Sequence, residues 1–220
     1  MNLNEYRKKA KKQTDWAPGW EAIDSCLNRL YPGVAPKHHY ASPLPSRAIW
    51  GGDEYLDGVS VFESNQGFLH IVTYGMSELY VNEESFGGEW SKWGYEMTMR
   101  LSPSEKNDHM WAVQRLSSLA HYTFTTQGFF EPFQFFTGDG TPLKFGSKSM
   151  LTGFLIVADP ELPCVDTLHG KLEFLQLVGI IQQEVDALLN DSEKAHLLYQ
   201  RISEENPLLI TDPARTKSYL

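Results

Sequence analysis

The sequence predicts a single α+β domain, a mixed and mostly antiparallel β-sheet packed with helices. Three observations predict it. Apolar residues alternate with period two in the middle of the chain and recur at helical spacing on either side. No repeat or low-complexity linker divides the 220 residues, and 41% hydrophobic against 21% charged residues suits a chain with one substantial core.

The elements follow in order. Residues 1–16 read as a basic N-terminal extension, with five basic residues between positions 7 and 12 that suit a solvated helix face. In APGWEAIDSCLNRLYPG, Pro18 suits a first helical turn, Trp20, Ile23, Leu27, Leu30 and Tyr31 share one stripe, and Pro32-Gly33 stops it. VAPKHHYASPLPS holds three prolines, so at most a short edge strand fits. IWGGDEYLDG is a turn-rich connection. VSVFES and GFLHIVTYG pair through the turn Ser64-Asn65-Gln66-Gly67. In YEMTMRL, Tyr95, Met97, Met99 and Leu101 share one face and Glu96, Thr98 and Arg100 the other, which predicts one covered face and one wetter face.

SEKNDHMWAVQRLSSLAHYTF returns to helical spacing, with Ser104 or Asp108 placed to cap it. FFEPFQFF is aromatic but interrupted by Pro132, and GDGTP is a turn. MLTGFLIV and KLEFLQLV read as buried strands. GIIQQEVDALLN reads as a helix with Ile180, Ile181, Val185, Leu188 and Leu189 inward, followed by a second helix in SEKAHLLYQRISEEN.

Composition narrows the function classes. A net charge of −9 repels nucleic acid and attracts cationic partners. No apolar run approaches the roughly 18 residues of a membrane span, and the polar, basic start is not a secretory signal. Two cysteines, Cys26 and Cys164, do not make a disulfide framework, which fits the cytoplasm.

Chemistry-bearing motifs are few. The glycine pairs of WGGD and FGGE match no phosphate loop. The seven histidines show no metal-ligand spacing; His38 and His39 point to opposite faces of an extended segment, and His70 suits a hydrogen-bonded core position. No cofactor is expected. Cys164 and His169 are the least poor nucleophile and base, in a segment that reads as strand and turn rather than a helix N-terminus. The stretch TYGMSELY, residues 73–80, reads as a strand end and turn, with Gly75 supplying the bend and Ser77 and Glu78 bonding free N–H groups.

Eight segments in one order, PGWEAIDSCLNRLYPG, WGGDEYLDGVSVFES, HIVTYGMSELY, GYEMTMRL, LSSLAHYTF, LIVADPEL, LEFLQLVGIIQQEV and LLITDPAR, resemble successive blocks of the Suppressor of fused domain. The resemblance covers about residues 17–215, leaving 216–220 as a tail, and is to the N-terminal lobe of the animal members. It implies a binding protein without enzymatic chemistry. The animal member restrains zinc-finger transcription factors by holding an extended segment as an added strand. Tyr122, in AHYTF, corresponds to a tyrosine lining that groove, whereas FFEPFQFF carries phenylalanine or glutamine where the family has a partner-binding aspartate. A chain of this one lobe resembles bacterial members similar to immunity proteins, so the expected partner is another protein, a cationic toxin or an extended peptide. The candidate contact residues are Trp90, Trp93, Tyr122, Phe129, Phe130, Phe133 and Phe135, with Phe136 beside them and Glu78 at the turn.

Overall fold

The computed structural model describes residues 1–41 and 56–220. The WGGD glycines, and with them most of the expected connection IWGGDEYLDG, lie outside those residues.

Two helices open the chain, α1 (Leu3–Lys12) and α2 (Pro18–Leu30). Asn2 and Glu5 close a capping box at the start of α1, and Lys9, Lys11 and Lys12 complement the dipole at its end. Tyr6 is fully buried, and its hydroxyl bonds His169 Nε2 at 2.8 Å and accepts from the Asn82 N–H at 2.8 Å. Pro18 starts α2 as expected. Gly19 lets that helix touch the turn after β3, because a Cβ there would lie 2.1 Å from the Glu78 carbonyl oxygen.

Eight strands form one sheet: β1 (His38–Ala41), β2 (Gly58–Glu63), β3 (Leu69–Tyr74), β4 (Trp90–Leu101), β5 (Phe135–Thr137), β6 (Leu151–Ala158), β7 (Val165–Thr167) and β8 (Gly170–Ile181). Their order is β1-β2-β3-β4-β8-β6-β5, with β7 also paired to β8. The β4–β8 pair is parallel and the others are antiparallel. Helix α3 (Met110–Thr126) packs on one face through Ala112, Leu116, Leu119 and Phe124. On the opposite face lie α2, over Phe62, Val72 and Phe174, and then α4 (Gln182–Asn190) and α5 (Lys194–Glu205), over Leu155, Val178 and Ile180.

Coverage of both faces overturns the expected wetter side of β4. Tyr95, Met97, Met99 and Leu101 do face the α3 core, but Glu96, Thr98 and Arg100 are fully buried on the other side. An alternating pattern says which residues share a face; it does not say whether a second layer of helices covers that face.

Glu96 explains TYGMSELY. Its carboxylate accepts from Thr73 Oγ1 (2.7 Å), Gly75 N (3.0 Å), Met76 N (3.4 Å), Ser77 N (3.0 Å) and Ser77 Oγ (2.6 Å). The turn is therefore organised by a carboxylate from the neighbouring strand; Ser77 donates to it, and neither Ser77 nor Glu78 caps the turn's own N–H groups as expected. Gly75, at φ 125°, supplies the bend.

Arg100 sits in a second buried cluster. Its guanidinium meets Asp159 in a fork, Nη1 to Oδ2 at 2.9 Å and Nη2 to Oδ1 at 3.0 Å, and donates further to Gln176 Oε1 and to Glu161 Oε2. Thr98 Oγ1 donates to Asp159 Oδ2 at 2.7 Å. His70 has Nε2 3.3 Å from the same oxygen and Nδ1 2.8 Å from the Tyr31 hydroxyl, the hydrogen-bonded core position expected for it. Burial, together with the Arg100 charge, lowers the His70 pKa. Burial pushes the Asp159 carboxyl up, but the His70 hydrogen bond and the Arg100 charge outweigh it and hold it well below the usual carboxylate range.

Other local expectations shift by short distances. Ile180 and Ile181 end β8 and do not start a helix, while Leu189 is exposed. The α3 N-cap is His109, without a side-chain cap bond; Ser104 meets Ser102 and Asp108 pairs with Lys144. His38 stacks on His109 and His39 lies tilted against Trp20, on opposite sides of β1 as expected.

Two outcomes follow from the buried polar groups. Glu96→Gln places an amide N–H₂ against donors and is expected to cost about 2–4 kcal/mol, read from the urea midpoint at constant slope. Asp159 has a depressed folded pKa, so its stabilisation is complete above the unfolded carboxylate value of about 3.9 and is lost as pH falls below it. Asp159→Asn should cost about 3–5 kcal/mol at neutral pH and flatten the stability profile below about pH 4 in denaturant titrations.

Candidate functional site

After α3 the chain reverses through Gln127, at φ 61°, and runs along the sheet's outer edge as GFFEPFQFF. Pro132 precedes Phe133, which is held at φ 70° while its N–H bonds the Ile156 carbonyl at 2.7 Å. That kink divides the aromatic run. Phe130 turns in and is 9% exposed, against Tyr95 and Phe136. Phe129 turns out and is 57% exposed. Phe133 packs on His196 and Tyr199 of α5, 3.9 and 5.6 Å between ring centroids.

Two hollows meet along this ridge and share Phe129, Phe130 and Pro132. The first, of about 500 Å³, is walled by Tyr122, Phe133, Phe135 and Phe136 and by Glu193 and His196. The second, of about 640 Å³, is walled by Trp90, Lys92, Trp93, Glu131 and Glu173. Trp90 and Tyr122 are nearly half exposed, whereas Trp93, Phe133 and Phe135 are partly covered. Together the hollows make one aromatic groove, closed on the side of β5 by an edge that has no second strand partner among the described residues.

The groove's electrostatics are acidic. None of the ion pairs among the described residues involves Glu131, Glu173 or Glu193. Lys92, by contrast, donates to the Gly75 carbonyl at 2.8 Å and lies over the Phe124 ring. Two of the four left-handed non-glycine residues described, Lys92 and Phe133, line the groove. Such conformations cost about 1–3 kcal/mol each and persist only where surrounding contacts impose them.

Seven of the eight candidate contact residues thus come together. Glu78 lies elsewhere, its carboxylate bonded by Asn82 Nδ2 at 2.8 Å and its carbonyl 3.2 Å from His169 Nδ1. Sequence reading missed Glu131 and Glu173 as rim charges, and it missed Glu193 and His196 altogether, because only folding brings α5 beside residues 129–136. Cys164 and His169, the least poor nucleophile and base in the sequence, do not pair. Both ring nitrogens of the buried His169 are engaged, with Tyr6 and with the Glu78 carbonyl, while Cys164 is exposed. Partial burial and the Glu173 carboxylate push the Cys164 thiol up, away from thiolate. Among the described residues no group of three or more His, Cys, Asp or Glu side chains could hold a metal ion. No described helix is long and apolar enough to cross a membrane.

Comparison with known proteins agrees with this architecture. The chain is 31% identical to the Suppressor of fused homologs of Homo sapiens and Mus musculus over 221 aligned positions, covering 90% of this chain and 43% of each relative. It therefore spans less than half the length of these curated relatives. In three dimensions it is similar to a chain in the Sufu-Fu complex crystal structure, with TM-score 0.76, 23% identity and 92% of both chains covered. It also matches Drosophila Suppressor of Fused, with TM-score 0.75, 24% identity, 92% of this chain covered and 51% of that one. No enzyme family is indicated. With residues 52–216 matching the family described as Suppressor of fused protein (SUFU), the chain belongs to the Suppressor of fused family.

Proposed function

We propose that this domain is a non-enzymatic binding protein that covers the working surface of a cationic protein with its aromatic groove, as a bacterial immunity protein in the cytoplasm does to a toxin. The observation that carries the reading is the groove itself: exposed Trp90, Tyr122 and Phe129 around buried Phe130, rimmed by Glu131, Glu173 and Glu193. Aromatic anchors seated in desolvated hollows supply most of the affinity of protein interfaces and slow dissociation. The unpaired carboxylates and the net charge of −9 favour fast encounter with a basic surface. A chain to which this one is structurally similar was solved in a complex, the Sufu-Fu complex.

The open edge of β5 favours a second reading, an extended peptide added as a strand. It predicts moderate affinity for linear peptides, whereas occlusion predicts tight binding to one folded partner.

Phe129→Ala removes an exposed ring and should leave the melting temperature nearly unchanged. It is expected to weaken partner binding by about thirtyfold or more and to abolish rescue of cells that express the toxin encoded beside this protein. Raising salt should slow association more than it speeds release. Soluble wild-type protein that neither rescues such cells nor forms a complex with the toxin would sink the immunity reading.

A further inference from the structure

A third hollow lies at the β1 end of the sheet, whereas the groove runs along the β5 end and the start of β4. It measures about 250 Å³, and its walls come from α2, the 34–36 loop, β1, β2 and the end of β3. That volume is below the usual range for drug-sized ligands and suits one small head group or one side chain. Three rings converge on it. Trp20 stacks on Tyr74 with centroids 4.1 Å apart, and His39 lies 5.7 Å from Trp20 and 6.0 Å from Tyr74. The His39 ring occupies space that only a glycine at position 58 leaves open, since a Cβ there would stand 2.9 Å from its Cε1.

One carboxylate shares the hollow with these rings. Asp24 Oδ1 accepts from the Tyr74 hydroxyl at 3.0 Å, and none of the ion pairs among the described residues includes Asp24. Asp24 is solvent-exposed, and desolvation by its neighbours still pushes its pKa up, against the Tyr74 hydrogen bond and the His39 charge. His39 Nδ1 lies 2.9 Å from Ser60 Oγ. Aromatic faces beside a carboxylate that makes no ion pair among the described residues form the pattern that attracts an organic cation.

We propose that the Trp20–Asp24–His39–Tyr74 hollow binds an alkylammonium group. The group enters with its carbon chain against Trp20 and its charge towards Asp24. Two sources share this chemistry, a lysine side chain of a bound protein and a small free amine. The site is independent of the aromatic groove, so a failure here leaves the groove reading untouched.

Heteronuclear NMR titration of the full chain tests it, using n-butylammonium, its neutral isostere n-butanol, and a lysine blocked at both backbone ends. The cation should shift the Trp20 indole N–H and the backbone of Asp24 and bind at least about tenfold more tightly than the alcohol. Asp24→Asn should remove that preference without changing the melting temperature by more than a few degrees. Tighter binding of blocked lysine assigns the site to a partner's side chain, and tighter binding of butylammonium to a free amine. Equal binding of cation and alcohol by the wild-type protein, or an unchanged preference in folded Asp24→Asn, overturns the proposal.

Discussion

Burying the Arg100 guanidinium constrains this fold more than any other single group. A lone buried cation costs several kcal/mol, so the side chain is tolerable only where acceptors surround it. Those acceptors arrive from far apart in the sequence: Asp159 and Glu161 after β6, and Gln176 on β8. Gln176 in turn donates to the Leu208 and Leu209 carbonyls, and the Thr211 N–H bonds the Arg100 carbonyl at 2.8 Å. Tyr31 at the end of α2 enters through His70. Segments such as LYPG, HIV, TMRL, ADPEL, LQLV and LLIT, which carry the family resemblance, therefore meet at one buried polar cluster. Their kinship is structural before it is functional. A slip of β4 by one residue would turn Met97 and Met99 into the buried polar layer and Arg100 into the apolar α3 core, away from its acceptors.

Helices on both faces leave the sheet little free surface except along its outer edge and near the N-terminal end of β4. The aromatic groove forms there, between the segment after α3, the start of β4 and the N-terminal turn of α5. Glu96 links this surface to the interior. By gathering the donors of residues 73–77 it sets the turn to which the Lys92 ammonium and the Trp93 N–H are bonded, and Trp90 and Trp93 flank that attachment. In the proposed binding role, rigid placement of these rings would limit the entropy lost on association, and Glu96 would contribute to it without touching a partner.

Much of this was legible from local patterns. The α2 boundaries follow from Pro18 and Pro32-Gly33, the β2–β3 hairpin from Ser64-Asn65-Gln66-Gly67, and the composition of the β4 faces from strict alternation. The aromatic crowding at 129–136 was legible as an excess that one face of a short segment could not bury. The distribution of those rings was not. Pro132 and the left-handed Phe133 decide it locally, and α5, some sixty residues later, completes the wall.

By itself the sequence determined which side chains travel together: period and turn chemistry depend on neighbours a few residues apart, and those are covalently set. Only the tertiary structure decided what covers each face. It made Glu96 and Arg100 interior groups instead of solvated ones, separated His169 from Cys164, and left Phe129 in solvent while Phe130 entered the core. The reason is that burial and charge compensation are properties of contacts between distant segments, and no local spacing encodes which distant segment will supply the acceptor.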